Sequence, residues 1–291
     1  MNKRRFQLRQ SALIGALAFA LGTTPSAFAQ SGPPHVFPMN NSHSAAQAAA
    51  ATVPLTDHGG PVLQNATTYA IYWGKQASFP ADLKTVMPLF FEGFGGSTYS
   101  YMLDQYLPAV FAASFDTTTA TDTTNPPTTS PATSKIVNEA CKYIKSKALP
   151  LNPINTATNS GGLYFVFTSN FPKGINFCGW HSYGTCNGQT IAVSYIPNLN
   201  NQTGCNPGDL YGANTYSEGA RADANVVAHE YSEAATDPEL NAWYDSTGAE
   251  NGDKCAWTFS SAVTLANSTT WQLQEEWSNA INGCAQTQAT P

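Results

Sequence analysis

Apolar and polar positions alternate along this chain in patterns that predict both strands and helices. Runs of β-branched and aromatic residues are typical of buried strands, and they lie at 68–73, 163–167 and 190–196. Apolar residues at helical spacing predict further elements, and these are a helix opened by Pro80 and helices over 99–107 and 134–146. Strands and helices in this order favour an α/β fold with a central mixed sheet.

The segments between these elements indicate one domain with long loops. Residues 116–133 are rich in Thr, Pro and Asp, which predicts an irregular surface loop. Residues 30–58 are rich in Ser, Ala, His, Pro and Gly without sustained periodicity, which predicts a mobile N-terminal segment. No repeat or linker divides the remainder. We therefore expect a single domain over 59–291.

The most informative helix is predicted over about 218–236. Its core stripe consists of small and aromatic residues, namely Ala224, Val227, Ala228, Tyr231, Ala234 and Ala235. Pro238 ends it, because proline disfavours helical geometry at the preceding residue.

Residues 1–29 have the features of a signal peptide. A basic start is followed by an apolar run at 11–21, which is too short to span a bilayer, and then by Ala27-Phe28-Ala29. Their removal shifts the formal net charge from -6 to -10, since this stretch holds four cations and no acid. An acidic chain of this kind is a poor partner for nucleic acid. We expect a secreted or periplasmic protein without a membrane span.

The six cysteines are expected to form disulfides, because an even number in an exported chain without C-x-x-C is typical of oxidised pairs. Six cysteines allow 15 pairings. Short separation favours Cys178 with Cys186 and Cys255 with Cys284, which leaves Cys141 with Cys205.

His229, Glu230 and Glu233 form an H-E-x-x-E sequence within the predicted helix. Residues four apart lie on one helix face, so His229 and Glu233 can converge on a metal ion as the two histidines of H-E-x-x-H do. Glu230 occupies the position of the general base in such a site. The sequence thus predicts a zincin-like helix.

Three sequence regions offer a third metal ligand. His181 follows a cysteine in a predicted tight turn, and it would complete a set that suits zinc. Glu250 or Asp253 would give two carboxylates, which favours harder ions such as calcium. Glu239 is the weakest candidate, because Pro238 separates it from the helix.

Each of these residues also has a structural interpretation without metal. His229 and Glu233 can form an i,i+4 hydrogen bond alone, and His181 can be a structural loop histidine. Glu250 and Asp253 can stabilise a turn between Gly248 and Gly252.

Several short motifs, in order over residues 58–286, resemble the EXORDIUM-like (phosphate-induced) protein family in a bacterial version. They are GGPVL from 59, YWG from 72, YFVFTS from 164, FCGWH from 177, AHE from 228, TDP from 236, NAWY from 241, GDKC from 252 and EWSN from 276. The resemblance implies an exported protein, since plant members are apoplastic and linked to cell expansion and growth under limited carbon. It implies no settled biochemical activity, because some plant members lack the His-Glu pair. This chain also lacks a cysteine-rich stretch that plant members carry between the regions matching Ile196 and Asp209.

The sequence as a whole favours an exported protein with a divalent-metal site, and a zinc-dependent, metallopeptidase-like hydrolase acting on extracellular peptide. The alternative is a non-catalytic, disulfide-braced module that binds or signals at the cell wall, with a structural metal or none.

Overall fold

The computed structural model describes residues 31–40 and 53–288, and its strands form one large sheet and three small ones. In chain order the strands are β1 (His35–Pro38), β2 (Thr56–Asp57), β3 (Asn65–Trp73), β4 (Ala112–Phe115), β5 (Ala120–Asp122), β6 (Ser160–Thr168), β7 (Phe177–Cys186), β8 (Gln189–Ile196), β9 (Trp243–Tyr244), β10 (Val263–Thr264), β11 (Thr270–Trp271), β12 (Glu276–Ser278) and β13 (Gly283–Ala285). The predicted signal peptide, 1–29, lies outside the described residues.

The central sheet has seven strands in the order β1-β7-β8-β6-β3-β4, with β5 also beside β3. Strands β3, β4, β5, β6 and β8 run parallel, whereas β7 and β1 are added antiparallel at one edge. The central parallel strands β6 and β8 are largely buried along their length because both faces of the sheet are covered. This arrangement confirms the predicted α/β fold with a central mixed sheet.

Three α-helices in the described residues cover that sheet: α1 (Leu83–Phe94), α2 (Thr133–Lys145) and α3 (Glu218–Thr236). Alternate side chains of β3 and β6 point to opposite faces. Tyr72 and Phe165 pack with α1 and α3, while Ile71 and Val166 pack with α2. None of the described helices is long and apolar enough to cross a membrane.

Helix α3 matches its predicted bounds and is buried on almost every side, with 17 of its 19 residues buried. Ser217 caps the first turn by accepting a hydrogen bond from the backbone N–H of Ala220. Tyr231 packs on Phe94, with ring centroids 4.4 Å apart, and so anchors the apolar side of the helix. The opposite side carries His229, Glu230 and Glu233 toward β1 and β7.

The predicted helix at 99–107 is present as a seven-residue 3-10 helix, Ser100–Tyr106. Two local predictions are wrong. The predicted loop at 116–133 contains β5, because Ala120 pairs with Ile71 of the sheet. The turn predicted around His181 is instead the middle of β7, a ten-residue strand.

The segment predicted to be mobile, 30–58, contains an ordered strand. Val36 pairs with Trp180 across β1 and β7, and Phe37 has no exposed surface. The apolar stretch is too short for a periodic signal, and its order comes from the edge of β7. Residues 41–52 of this segment lie outside the described part of the chain.

All six cysteines are in disulfides, but two of the predicted pairings are wrong. Cys255 pairs with Cys284 as predicted, whereas Cys141 pairs with Cys186 and Cys178 with Cys205. Cys178 and Cys186 are close in sequence, yet eight residue steps along an extended strand separate them by about 26 Å. The bridges therefore tie β7 to α2 at one end and to the loop after β8 at the other.

Replacing Glu139 of α2 by Gln is expected to flatten the dependence of stability on pH. Burial and the neighbouring Asp122 raise the pKa of Glu139 from 4.5 to about 7. A raised carboxyl pKa contributes stability below pH 4.5 that is lost as the pH rises through 7. Urea unfolding at the two ends of this window should show a loss of up to about 3 kcal/mol that the Gln variant lacks. If the free energy of unfolding depended on pH equally in the wild type and in Glu139→Gln, the raised pKa of Glu139 would be contradicted.

Candidate metal centre

A buried cluster of three histidines and four carboxylates lies where α3 meets β1, β7 and the loop after β9. Each of three triads in it offers ligand atoms within 4.8 Å of one another. These triads are His35–Glu233–Glu250, His181–Glu230–Glu233 and His229–Glu233–Asp253. Each triad holds one histidine, and Glu233 belongs to all three. The cluster could hold a metal ion.

His229 and Glu233 converge as their helical spacing predicts. Nε2 of His229 lies 3.2 Å from Oε1 of Glu233 and 3.8 Å from Oδ1 of Asp253. A tetrahedral zinc ion with bonds of about 2.1 Å separates its ligand atoms by about 3.4 Å. The backbone N–H of Asp253 also donates to Oε1 of Glu233 over 3.0 Å, which holds the loop against the helix.

His181 and His35 approach the same carboxylates from the sheet, because they face each other in the register of β7 and β1. Nδ1 of His181 lies 3.3 Å from Oε2 of Glu230 and 3.5 Å from Oε2 of Glu233. Nε2 of His35 lies 2.7 Å from Oδ2 of Asp253. An antiparallel pair of edge strands thus delivers two imidazoles to one helix face.

Glu250 lies between these two imidazoles. Its Oε1 is 3.4 Å from Nδ1 of His35, and its Oε2 is 3.7 Å from Nε2 of His181. The loop that carries it is shaped by Asp245, whose side chain accepts hydrogen bonds from the backbone N–H groups of Thr247 and Ala249. This Asx-type turn brings Glu250 and Asp253 back over α3.

Gly252 allows the loop to approach the helix closely. A Cβ at this position would lie 2.6 Å from Nδ1 of His229 and 3.1 Å from Oε1 of Glu233. On the same side, Nε2 of Gln274 is 3.1 Å from Nδ1 of His229 and donates to the carbonyl of Gly252. Phe37 stacks on the His229 ring at 3.8 Å. These contacts fix the ring with Nε2 toward the carboxylates.

Several buried polar atoms of the cluster have no hydrogen-bond partner among the described residues. They are Nε2 of His181, Nε2 of His229, Oε1 of Glu230, Oε2 of Glu233 and Oε2 of Glu250. A buried polar group without a partner costs about 1 to 3 kcal/mol, and more if it is charged. A cation bound within one of the triads would provide a partner for the unpartnered atoms of that triad.

Burial and mutual repulsion divide the carboxyl groups into two kinds. Burial and the charge of Glu233 hold the pKa of Glu230 well above its usual range, and the same causes raise the pKa of Glu250. Burial also opposes ionisation of Glu233, but His229 and His35 outweigh it and hold its pKa well below the usual range. Glu233 is therefore held in its ionised form.

The histidines are also perturbed. Burial alone would lower the pKa of His35, but Asp253 and Glu233 outweigh it and raise the pKa to about 9. Burial lowers the pKa of His181. His181 is therefore the more readily available metal ligand near neutral pH, since a ligating imidazole must be unprotonated.

The structure brings together the sequence-predicted residues His181, His229, Glu230, Glu233, Glu250 and Asp253. Glu239 belongs to none of the three triads. His35 is not among the sequence-predicted ligands, because its segment was predicted to be mobile. The only sequence signal was the apolar neighbour pair Val36 and Phe37, which is too short to predict a strand.

Comparison of the chain with protein-family models, with curated proteins and with solved structures finds no match. The resemblance to the EXORDIUM-like family stays a prediction. The three disulfides fit an extracellular protein.

Proposed function

We propose that this protein is an exported, divalent-metal-dependent hydrolase with an ion bound by His229, Glu233 and Asp253. The observation that carries this is the convergence of Nε2 of His229, Oε1 of Glu233 and Oδ1 of Asp253, at separations of 3.2 and 3.8 Å around His229. Both separations are close to about 3.4 Å, the distance between two ligand atoms of a tetrahedral zinc ion with bonds near 2.1 Å.

The three histidines of the cluster favour zinc over calcium, although two of the three ligands proposed for this ion are carboxylates. Calcium takes oxygen ligands, whereas zinc accepts imidazole nitrogen together with carboxylate oxygen. Three imidazoles lie among the four carboxylates here, and each ring contacts at least one of them. A calcium site at Glu250 and Asp253 would leave those nitrogens without a role.

Glu230 has the geometry for a general base. Its Oε2 faces His181, while its Oε1 is buried and has no partner among the described residues. The contact with Nδ1 of His181 holds this carboxylate where β7 meets α3. A bound zinc ion would supply a polarised, acidified water, and Glu230 would accept its proton.

The edge strand β1 indicates an extended peptide as the substrate, because it is the end strand of the sheet beside the cluster. It pairs antiparallel with β7, and its Phe37 packs against His229 and Trp257. Addition of an extended segment to a sheet edge is a common mode of peptide recognition.

A non-catalytic module with a structural metal is the second candidate, and burial of the cluster favours it. The side chains of His181, His229, Glu230 and Glu233 have no exposed surface, whereas His35 keeps 21% and Asp253 12%. Closed coordination is typical of structural sites, and catalytic sites keep an open position. Access to solvent is through His35 and Asp253.

Replacing Glu230 by Gln should separate these functions. We expect hydrolysis of a fluorogenic peptide library to fall at least about 100-fold while bound zinc is retained, since a general base typically contributes this much. His229→Ala should lower both hydrolysis and zinc binding. Zinc is measured by mass spectrometry on the same preparations. Wild-type protein that binds zinc but cleaves no peptide would support the non-catalytic module. A fully active Glu230→Gln variant would show that Glu230 is not the general base.

A further inference from the structure

We propose that the cluster binds a second divalent ion, held by His35, Glu233 and Glu250, beside the one at His229, Glu233 and Asp253. This inference rests on the metal site of the proposed function but not on catalysis. It assigns a ligand role to the N-terminal strand β1 and makes Glu233 the ligand that both ions share.

The ligand atoms of His35, Glu233 and Glu250 all lie within 4.8 Å of one another, as do those of the first set. Glu250 faces His35 over 3.4 Å through Oε1 and His181 over 3.7 Å through Oε2. Both distances fit the edge of about 3.4 Å expected for a tetrahedral site. Nε2 of His181 and Oε2 of Glu250 are also buried and without a hydrogen-bond partner among the described residues. The unpartnered atoms point to a missing cation rather than to a hydrogen bond.

Each of the two imidazoles has a carboxylate on its other nitrogen. Nε2 of His35 lies 2.7 Å from Oδ2 of Asp253, and Nδ1 of His181 lies 3.3 Å from Oε2 of Glu230. With those nitrogens donating, Nδ1 of His35 and Nε2 of His181 present their lone pairs toward Glu250. A carboxylate that orients a histidine in this way is the usual outer partner of a metal-ligating imidazole.

The cluster holds enough carboxylates for two divalent ions. Its four carboxylates carry four negative charges when ionised, and their ion-pair contacts are with the three histidines. Glu233 lies between the two positions, because its Oε1 faces His229 and its Oε2 faces His181 and His35.

The zinc content of the full-length protein tests this assignment. Protein stripped with chelator is titrated with ZnCl2 in a calorimeter, and the dialysed product is analysed by mass spectrometry. We expect two zinc ions per chain in the wild type and one in Glu250→Gln. His35→Gln, on a partly exposed side chain, should also bind one, which guards against misfolding of the first variant. Glu139→Gln, a buried acid of α2, is the matched control and should keep two.

One zinc ion in the wild type, or two in both site variants, would overturn the second site. His229→Ala should keep the second ion and lose the first, which distinguishes the two positions. A wild type with two ions but no peptide hydrolysis would contradict the proposed catalysis and leave this inference standing.

Discussion

Glu233→Gln should abolish tight metal binding, with zinc affinity falling by more than about 1,000-fold. Glu233 belongs to all three triads, and it is the carboxyl that His229 and His35 keep ionised. The neutral amide of Gln would replace a charged metal ligand. It would also give the three imidazoles that contact Glu233 a weaker hydrogen-bond acceptor. Because breaking a buried ion pair typically costs about 3 to 5 kcal/mol, the metal-free variant should also unfold more easily.

Calorimetric zinc titration and thermal unfolding of the metal-free protein measure these two effects. The control is Glu239→Gln, since this nearby acid lies in none of the triads and should change neither quantity. Zinc affinity of Glu233→Gln within tenfold of the wild type would show that Glu233 is not a ligand.

Removing the Cys178–Cys205 disulfide should cost about 3 to 4 kcal/mol of stability and also weaken the metal site. The bridge closes a sequence separation of 27 residues, for which loop entropy gives about this value. Cys178 lies three positions before His181 on β7, so the loss also loosens the strand that holds this imidazole. We expect zinc affinity to fall about 10-fold or more in Cys178→Ser/Cys205→Ser.

The Cys141–Cys186 pair provides the comparison. It closes 45 residues, so its removal should cost a similar free energy, but it holds the opposite end of β7. Urea unfolding should therefore show similar losses for the two double variants, with reduced zinc affinity only in the first. Equal zinc affinity in both double variants would show that the Cys178–Cys205 bridge does not support the metal site.

Much of this fold could be predicted from local pattern. The apolar runs of β3, β6 and β8 are buried on both sheet faces, so their composition alone was sufficient to predict them as strands. Helix α3 was also predictable, because its alanine-rich stripe and Pro238 define its bounds. The convergence of His229 and Glu233 follows from helix geometry.

The rest of the site depends on contacts between segments distant in sequence. β7 has glycine and polar residues at 179, 181 and 182, so no apolar run marks it as a strand, and its order comes from pairing with β8 and β1. The same pairing decides which cysteines meet. Asp253 and His35 are 218 residues apart, and no local pattern could bring them together.

The N-terminal strand β1 has a consequence for the order in which the site assembles. During synthesis its residues emerge first, but the residues that they contact emerge in the later half of the chain, on β7, on α3 and in the loop that carries Glu250. His35 can dock only after those elements have folded, since an isolated edge strand has nothing to pair with. A chain exported before folding would therefore complete the proposed metal site outside the cytoplasm, with any ion drawn from that compartment.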